Sequence, residues 1–328
     1  MSGSKVHMIG IGGIGMSALA QLYATEGRCV CGSDREASPT TELLGKKGIE
    51  VMIGQKAENV PTDADLVVYS DAVWPDNAER LRAKELGIRQ VSYFEALGEV
   101  SKDRRTIAVT GTHGKTTTTA MLAKILKDCG KSPTVIVGTI VPEFGSNFLH
   151  GDSDIFVVEA CEYRNHFLVF NPEVLVITNM EWDHTDFFKT FDEMKKAFDE
   201  ARGKAKIVVD ASRYTQESVP ELQLVGEFNK MNARAAKAGA KALCPDLKDA
   251  DIDRSLAAFT GTWRRFEKKG TTLEGALVYD DYAHHPTAIR ATLEAARGKF
   301  PDKKITIVFH PHLYSRTRDL FDGFVTEL

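Results

Sequence analysis

The chain has 328 residues, 43% hydrophobic and 27% charged, enough for two or three ordinary globular domains. Its 42 Lys and Arg against 46 Asp and Glu leave a net charge of −4, which gives no electrostatic reason to expect a nucleic-acid or membrane partner. Five scattered cysteines (Cys29, Cys31, Cys129, Cys161 and Cys244) show neither zinc spacing nor a disulfide framework, which suits a reducing cytoplasm. No apolar run is long enough to cross a membrane. Residues 1–5 lead directly into a strand pattern, so no signal peptide is expected.

Residues 5–32 read as strand, turn, helix, strand. The turn carries Gly10, Gly12 and Gly15 in the order G-x-G-x-x-G, with Asp34 following where a ribose-binding acid would sit. Such a turn places a diphosphate on a helix N-terminus, and both a nicotinamide dinucleotide and a UDP-sugar carry one. Asp34 also reads as a plain turn residue after a strand. Strand patterns at 51–53, 66–69 and 88–91 alternate with helical ones at 77–86 and 93–100, which predicts a doubly wound α/β domain over residues 1–102. A charged hinge at 101–105 follows.

Residues 106–109 form a second strand pattern, which enters a turn containing Gly111, Thr112, His113 and Gly114, then Lys115, Thr116 and Thr117 at the start of a helix. This is strand, phosphate loop, helix, although Val109 stands where the general P-loop has its first glycine. Lys115 would reach the outer phosphates and the Thr116 hydroxyl would hold Mg²⁺. Residues 155–158 are a buried-strand pattern ending at Glu159, a position suited to the same cation or to a surface acid. Residues 174–179 are another, followed by Asp183 and His184. A helix at 191–201 and a strand at 207–209 come next. Asn229 and Asn232 lie one turn apart on an Ala-rich helix, where Asn229 reads as an N-cap or the two amides as an adenine contact. After Trp263-Arg264-Arg265, a strand at 276–279 leads to Asp280, Asp281, Tyr282, His284 and His285, and a helix starts at Pro286. A strand is predicted at 305–309, ending in His310, His312 and Arg316. Residues 316–328 predict one amphipathic helix. Acids, histidines and an arginine on two strand-end loops mark ligand territory, and either histidine pair is a candidate metal site without a third ligand at clear spacing.

Together, residues 110–119, 159–168, 183–184, 280–287 and 311–319 resemble the Mur ligases, in the family's order, and the opening 9–17 is similar to the family's alanine-adding branch. The resemblance implies an α/β fold of three domains. These are a UDP-sugar-binding Rossmann-like domain (1–102), a central ATP-binding P-loop domain (103–262) and a partial Rossmann-like amino-acid-binding domain (263–328). It implies an ATP- and Mg²⁺-dependent ligase of peptidoglycan precursor synthesis, joining L-alanine to UDP-N-acetylmuramate through an acyl phosphate. Gly10, Gly12, Gly13, Ile14, Gly15, Met16, Ser17, Asp34 and Ser70 would bind the UDP-sugar. Gly111 to Thr117 would cradle ATP, with Lys115 on the β/γ-phosphates, Asn229 and Asn232 at adenine, Arg264 or Arg265 at the γ-phosphate and Asp280 or Asp281 at the ribose. Thr116, Glu159 and His184 would hold Mg²⁺. Tyr282, His284, His312 and Arg316 would shape the alanine pocket, with Arg316 on its carboxylate.

The chain departs from the family pattern at Leu313, where many relatives carry a second basic residue, and at Phe228, where a histidine is common. A short stretch between His184 and Gly226 predicts a central domain without part of its peripheral sheet, and the C-terminal domain reads as shortened, with an edge free to pair with another copy. Three alternatives follow: a related Mur-type peptide ligase, a low-activity UDP-sugar-binding remnant, and an NAD(P)-dependent oxidoreductase resting on the first glycine turn alone.

Overall fold

The computed structural model describes residues 3–311 and 313–328. In the first layer, β1 (Lys5–Ile9), β2 (Cys29–Asp34), β3 (Glu50–Ile53), β4 (Leu66–Tyr69) and β5 (Arg89–Ser92) form a parallel sheet in the order β3-β2-β1-β4-β5. Helices α1 (Ile14–Thr25), α2 (Pro39–Lys46), α3 (Ala78–Glu85) and α4 (Tyr93–Ser101) connect the strands. The order reverses between β1 and β4, so the glycine turn after β1 opens at the switch point, where α/β sheets bind ligands. α2, absent from the sequence reading, starts on a capping box, with Ser38 accepting from the Thr41 N–H and Pro39 at the first position.

The second sheet has the order β11-β10-β6-β9-β7-β8. Its strands are β6 (Arg105–Thr110), β7 (Thr134–Val141), β8 (Ser146–Leu149), β9 (Ile155–Glu159), β10 (Val174–Ile177) and β11 (Ile207–Asp210). β6, β9 and β10 are buried along nearly their whole length, the pattern of parallel strands covered on both faces. Helices α5 (Lys115–Asp128) and α7 (Glu227–Leu243) pack together on one face, closing a core of Ile107, Val109, Leu122, Ile125, Val157 and Val176. α6 (Phe191–Lys204) covers the other, and α8 (Asp249–Ala257) flanks α5.

A buried polar joint ties the two sheets. The Asn147 amide on β8 donates to the Ile14 carbonyl and to Ser17 Oγ (2.9 Å) at the start of α1, and accepts from Gln21 (3.0 Å).

Beyond residue 263, β12 (Glu267–Thr271) and β13 (Leu277–Asp280) form an antiparallel hairpin, followed by α9 (Pro286–Lys299), α10 (Tyr314–Asp319) and α11 (Phe321–Glu327). The strand expected at 305–309 is not formed. Among the described residues its apolar run has no neighbouring strand to supply ladder hydrogen bonds, and Val308 is 95% exposed. The single helix expected over 316–328 is two helices that break at Leu320, whose φ of −114° and ψ of 22° leave the helical region. Among the described residues no helix is long and apolar enough to cross a membrane.

Candidate active site

α1 and α5 begin alike. Each follows the C-terminal end of its sheet's central strand, each has a glycine at the N-cap, and neither has a side-chain cap. Their first N–H groups and the positive helix ends are therefore available to anions. At α1, the Gly12 N–H donates to Asp34 Oδ2 (2.8 Å), and Thr40 Oγ1 donates to the Gly12 carbonyl. A Cβ on Gly12 would lie 2.6 Å from Thr41 Cγ2 and 2.9 Å from Asp34 Oδ2. Gly10 packs against Ser70 at the end of β4, and Gly13, Gly15, Met16 and Ser17 complete the turn and the first turn of α1. The sequence-predicted UDP-sugar residues thus share one sheet edge.

At α5, Gly114 has φ +80°, and a Cβ there would meet Asn232 Oδ1 at 2.2 Å. Only glycine lets the phosphate loop turn under α7. Lys115 Nζ lies 2.9 Å from the fully buried Glu162 carboxylate and donates to the carbonyls of Gly111 and Thr112 (3.3 Å for the latter). Glu162 also pairs with His184 Nε2 at 3.2 Å. Burial, the largest influence, pulls the Lys115 ammonium down, but the charges of Glu162, Cys161 and Glu159 and the Glu162 hydrogen bond together outweigh it and hold the group above the ordinary lysine range. Burial pushes Glu162 up, but the charges and hydrogen bonds of Lys115 and His184 together outweigh it and lower its pKa. Thr116 Oγ1 donates to Glu159 Oε1 (2.9 Å), and the Gly138 N–H donates to Glu159 Oε2 (2.8 Å). His184 has φ +53°, a conformation rare for a residue with a Cβ, and its ring stacks on Tyr163 at 4.7 Å.

Lys115, Thr116, Glu159 and His184 face a cavity of about 580 Å³, within the range of small-molecule sites, while Glu162 lies behind it. Thr112, His113, Gly114, Thr117, Asn229, Asn232, Arg264, Arg265, Asp281, Tyr282 and His284 line it too, as does Ile14 from the first sheet's glycine turn. Asn229 donates to the Val225 carbonyl (2.8 Å) and accepts from Asn232 (3.3 Å). Asp281 accepts from the N–H groups of Phe266 (2.7 Å) and Ala283 (2.8 Å), and burial raises its pKa.

Of the predicted UDP-sugar residues only Ile14 reaches the cavity wall, and three of the predicted ATP and alanine residues lie off it. Gly111 packs beneath the loop against Thr178, Asp280 accepts from Arg264 (3.2 Å), and Arg316 forms a two-point pair with Asp183 at 2.8 and 3.1 Å. His312 lies outside the described residues. Sequence reasoning missed Glu162 and Glu181, and it singled out His285 only as one of a histidine pair without a third ligand. Glu162 sits three residues beyond Glu159, and burial of both ends of its ion pair is visible only in the fold.

A phosphate loop on one parallel sheet, facing a second glycine turn on another, defines an α/β protein of the P-loop class. Residues 5–105 match the family description "Mur ligase family, catalytic domain", residues 109–208 "Mur ligase middle domain" and residues 264–328 "Mur ligase, glutamate ligase domain". The chain belongs to the Mur ligase family and has its three-domain architecture. It is 39% identical to the UDP-N-acetylmuramate–L-alanine ligase of Clostridium kluyveri over 98% of this chain and 80% of that protein. The crystal structure of the UDP-N-acetylmuramate–alanine ligase of Thermotoga maritima matches at a TM-score of 0.83 and 30% identity, covering 98% of this chain and 88% of that one. A murein peptide ligase of Psychrobacter arcticus matches at 0.74 and 26%, covering 94% and 81%. The dinucleotide reading of the first glycine turn gives way to the Mur-family one.

Proposed function

We propose that the chain is the ATP-dependent ligase that joins L-alanine to UDP-N-acetylmuramate in cytoplasmic peptidoglycan precursor synthesis. The observation that carries this reading is the shared cavity: Ile14, from the turn that would bind the UDP-sugar, lines the same space as Lys115, Glu159 and His184. A carboxylate presented from α1 and a phosphoryl group presented from α5 would meet there.

The reaction needs no protein nucleophile. The substrate carboxylate takes the γ-phosphoryl group of ATP, the alanine amine attacks the acyl phosphate, and the tetrahedral intermediate expels phosphate to leave an amide. The protein's tasks are alignment and charge neutralisation. Lys115 would hold the β/γ-phosphates, exchanging Glu162 for phosphate oxygens. The oxygens of Thr116 and Glu159, already 2.9 Å apart, fit a hard cation, with His184 facing the same space. Mg²⁺ held there would neutralise phosphate charge. Arg265 and Arg264 would face the γ-phosphate, Asn229 and Asn232 the adenine, and Asp281 or Asp280 the ribose. Gly10, Gly12, Gly13, Gly15, Ser17, Asp34 and Ser70 would surround the UDP diphosphate and ribose. Tyr282 and His284 would bound the alanine pocket. Arg316 Nη1, buried without a partner, is the donor left for the alanine carboxylate after Asp183 has taken the rest of the fork. The proposed domains are 1–102, 103–262 and 263–328. Phosphate release that requires ATP, UDP-N-acetylmuramate and L-alanine together tests the reading.

A further inference from the structure

Three side chains, none of them given a cation-binding role above, converge on the cavity wall. His113 belongs to the phosphate loop, Glu181 to the segment after β10, and His285 caps α9. His113 Nε2 lies 3.3 Å from Glu181 Oε2, His285 Nδ1 lies 4.0 Å from the same oxygen, and the three donor atoms fall within 4.8 Å of one another. Two imidazoles and one carboxylate are a borderline-soft donor set, unlike the oxygen pair of Thr116 and Glu159. The ligand–ligand distances of a tetrahedral ion bound at about 2.0–2.2 Å are about 3.3–3.6 Å, so imidazole rotation closes the set.

We infer that His113, Glu181 and His285 form a second cation site, selective for an imidazole-preferring divalent ion such as Zn²⁺ or Co²⁺ over Mg²⁺. The His285 ring is almost fully buried beside the Trp182 backbone, no group meets good hydrogen-bond geometry at Nε2, and Nδ1 accepts a long contact (3.3 Å) from the Thr287 N–H. That contact is weak enough for an ion to replace. Burial also keeps the ring neutral, the form that binds metal, and the His113 hydrogen bond holds the Glu181 carboxyl down at about 2. All three residues line the cavity, so the ion's remaining positions open onto it. Because the ligands come from the phosphate loop, the β10 edge and α9, a bound ion would staple the C-terminal helices to the loop that must admit nucleotide. The site therefore acts as an inhibitory clamp, distinct in donor chemistry from the catalytic cation's site. The inference uses the placement of the Mur-family cavity but not the identity of its substrates.

The test is Co²⁺ titration of the full chain in excess Mg²⁺, without substrates, followed by visible absorption. One equivalent of Co²⁺ should give the intense bands of a low-coordinate, nitrogen-containing site, and Zn²⁺ should bleach them. His285→Asn keeps an N-capping side chain on α9, and Glu181→Gln keeps the shape of the acid. Each should weaken Co²⁺ at least tenfold, while Glu159→Gln changes it less than twofold. Absent bands, or bands untouched by both variants, would overturn the site. Equal losses in Glu159→Gln would assign the ion to the Mg²⁺ position instead and overturn it as well. Ligase turnover does not enter the readout, so failure here and failure of the ligase reading are separate results.

Discussion

Arg316 and Asp183 meet in a buried two-point pair, 133 positions apart in the chain, with Nε to Oδ1 at 2.8 Å and Nη2 to Oδ2 at 3.1 Å. The pair docks α10 on the loop that carries His184, whose N–H also donates to Asp183 Oδ1. Arg316 therefore organises the loop that carries His184.

Removing one partner of a buried pair leaves an unpaired charge and costs about 3–5 kcal/mol. Asp183→Ala should release α10 and α11, seen as lost amide protection over residues 314–327 with protection at 105–110 retained. Retained protection over 314–327 would show that the pair does not hold the helices. Burial alone would raise the Asp183 carboxyl, but the Arg316 hydrogen bonds and the charges of His184 and Arg316 carry it well below its ordinary value. A group lower in the folded than in the unfolded state stabilises fully above its unfolded value, about 3.9, and loses that contribution as pH falls. Docking of α10 should weaken progressively below about pH 4, and a flat profile there would argue against the pair.

Lys115→Ala should cut ATP-dependent phosphate release by about 10²–10³-fold, the scale of one lost electrostatic donor. It also strands the buried Glu162, so the single variant should lose stability. Lys115→Ala with Glu162→Gln should regain melting temperature without regaining turnover. Recovery of turnover would remove Lys115 from phosphate binding.

The two glycine turns should be separable. Gly12→Val meets Thr41 and Asp34 and should weaken UDP-N-acetylmuramate far more than ATP. Gly114→Ala adds about 1–2 kcal/mol of left-handed strain and strikes Asn232, so it should do the reverse. Titration of each ligand against each variant decides it, and parallel losses would mean general damage.

Much of this was legible in the sequence because strand-turn-helix units announce themselves locally. All five strands of the first sheet, and helices α1 and α5 after the two glycine turns, follow from apolar period and glycine placement. β7 and β8 were not legible. Their pairing is part parallel and part antiparallel with an irregular register, and Gly138 interrupts the pattern to let Glu159 approach. The run at 305–309 misled for the opposite reason: its β propensity is strong, but a strand exists only with a neighbour. Glu162 and Glu181 escaped because their partners lie far away in sequence, and so did the partners of His285 and Asp183 as the seat of Arg316.

The exposed run also predicts local dynamics. Amides of residues 304–309 should exchange orders of magnitude faster than those of β6, since they make no ladder hydrogen bonds and Val308 faces solvent. Protection equal to that of β6 would mean that the segment is paired in solution.

Coupled phosphate release by the full chain tests the central claim most directly. Purified protein with ATP and Mg²⁺ should release phosphate only when both UDP-N-acetylmuramate and L-alanine are present, with one amide product formed per phosphate. Release independent of either substrate, or none with all three present, would contradict the assignment of this cavity to alanine ligation.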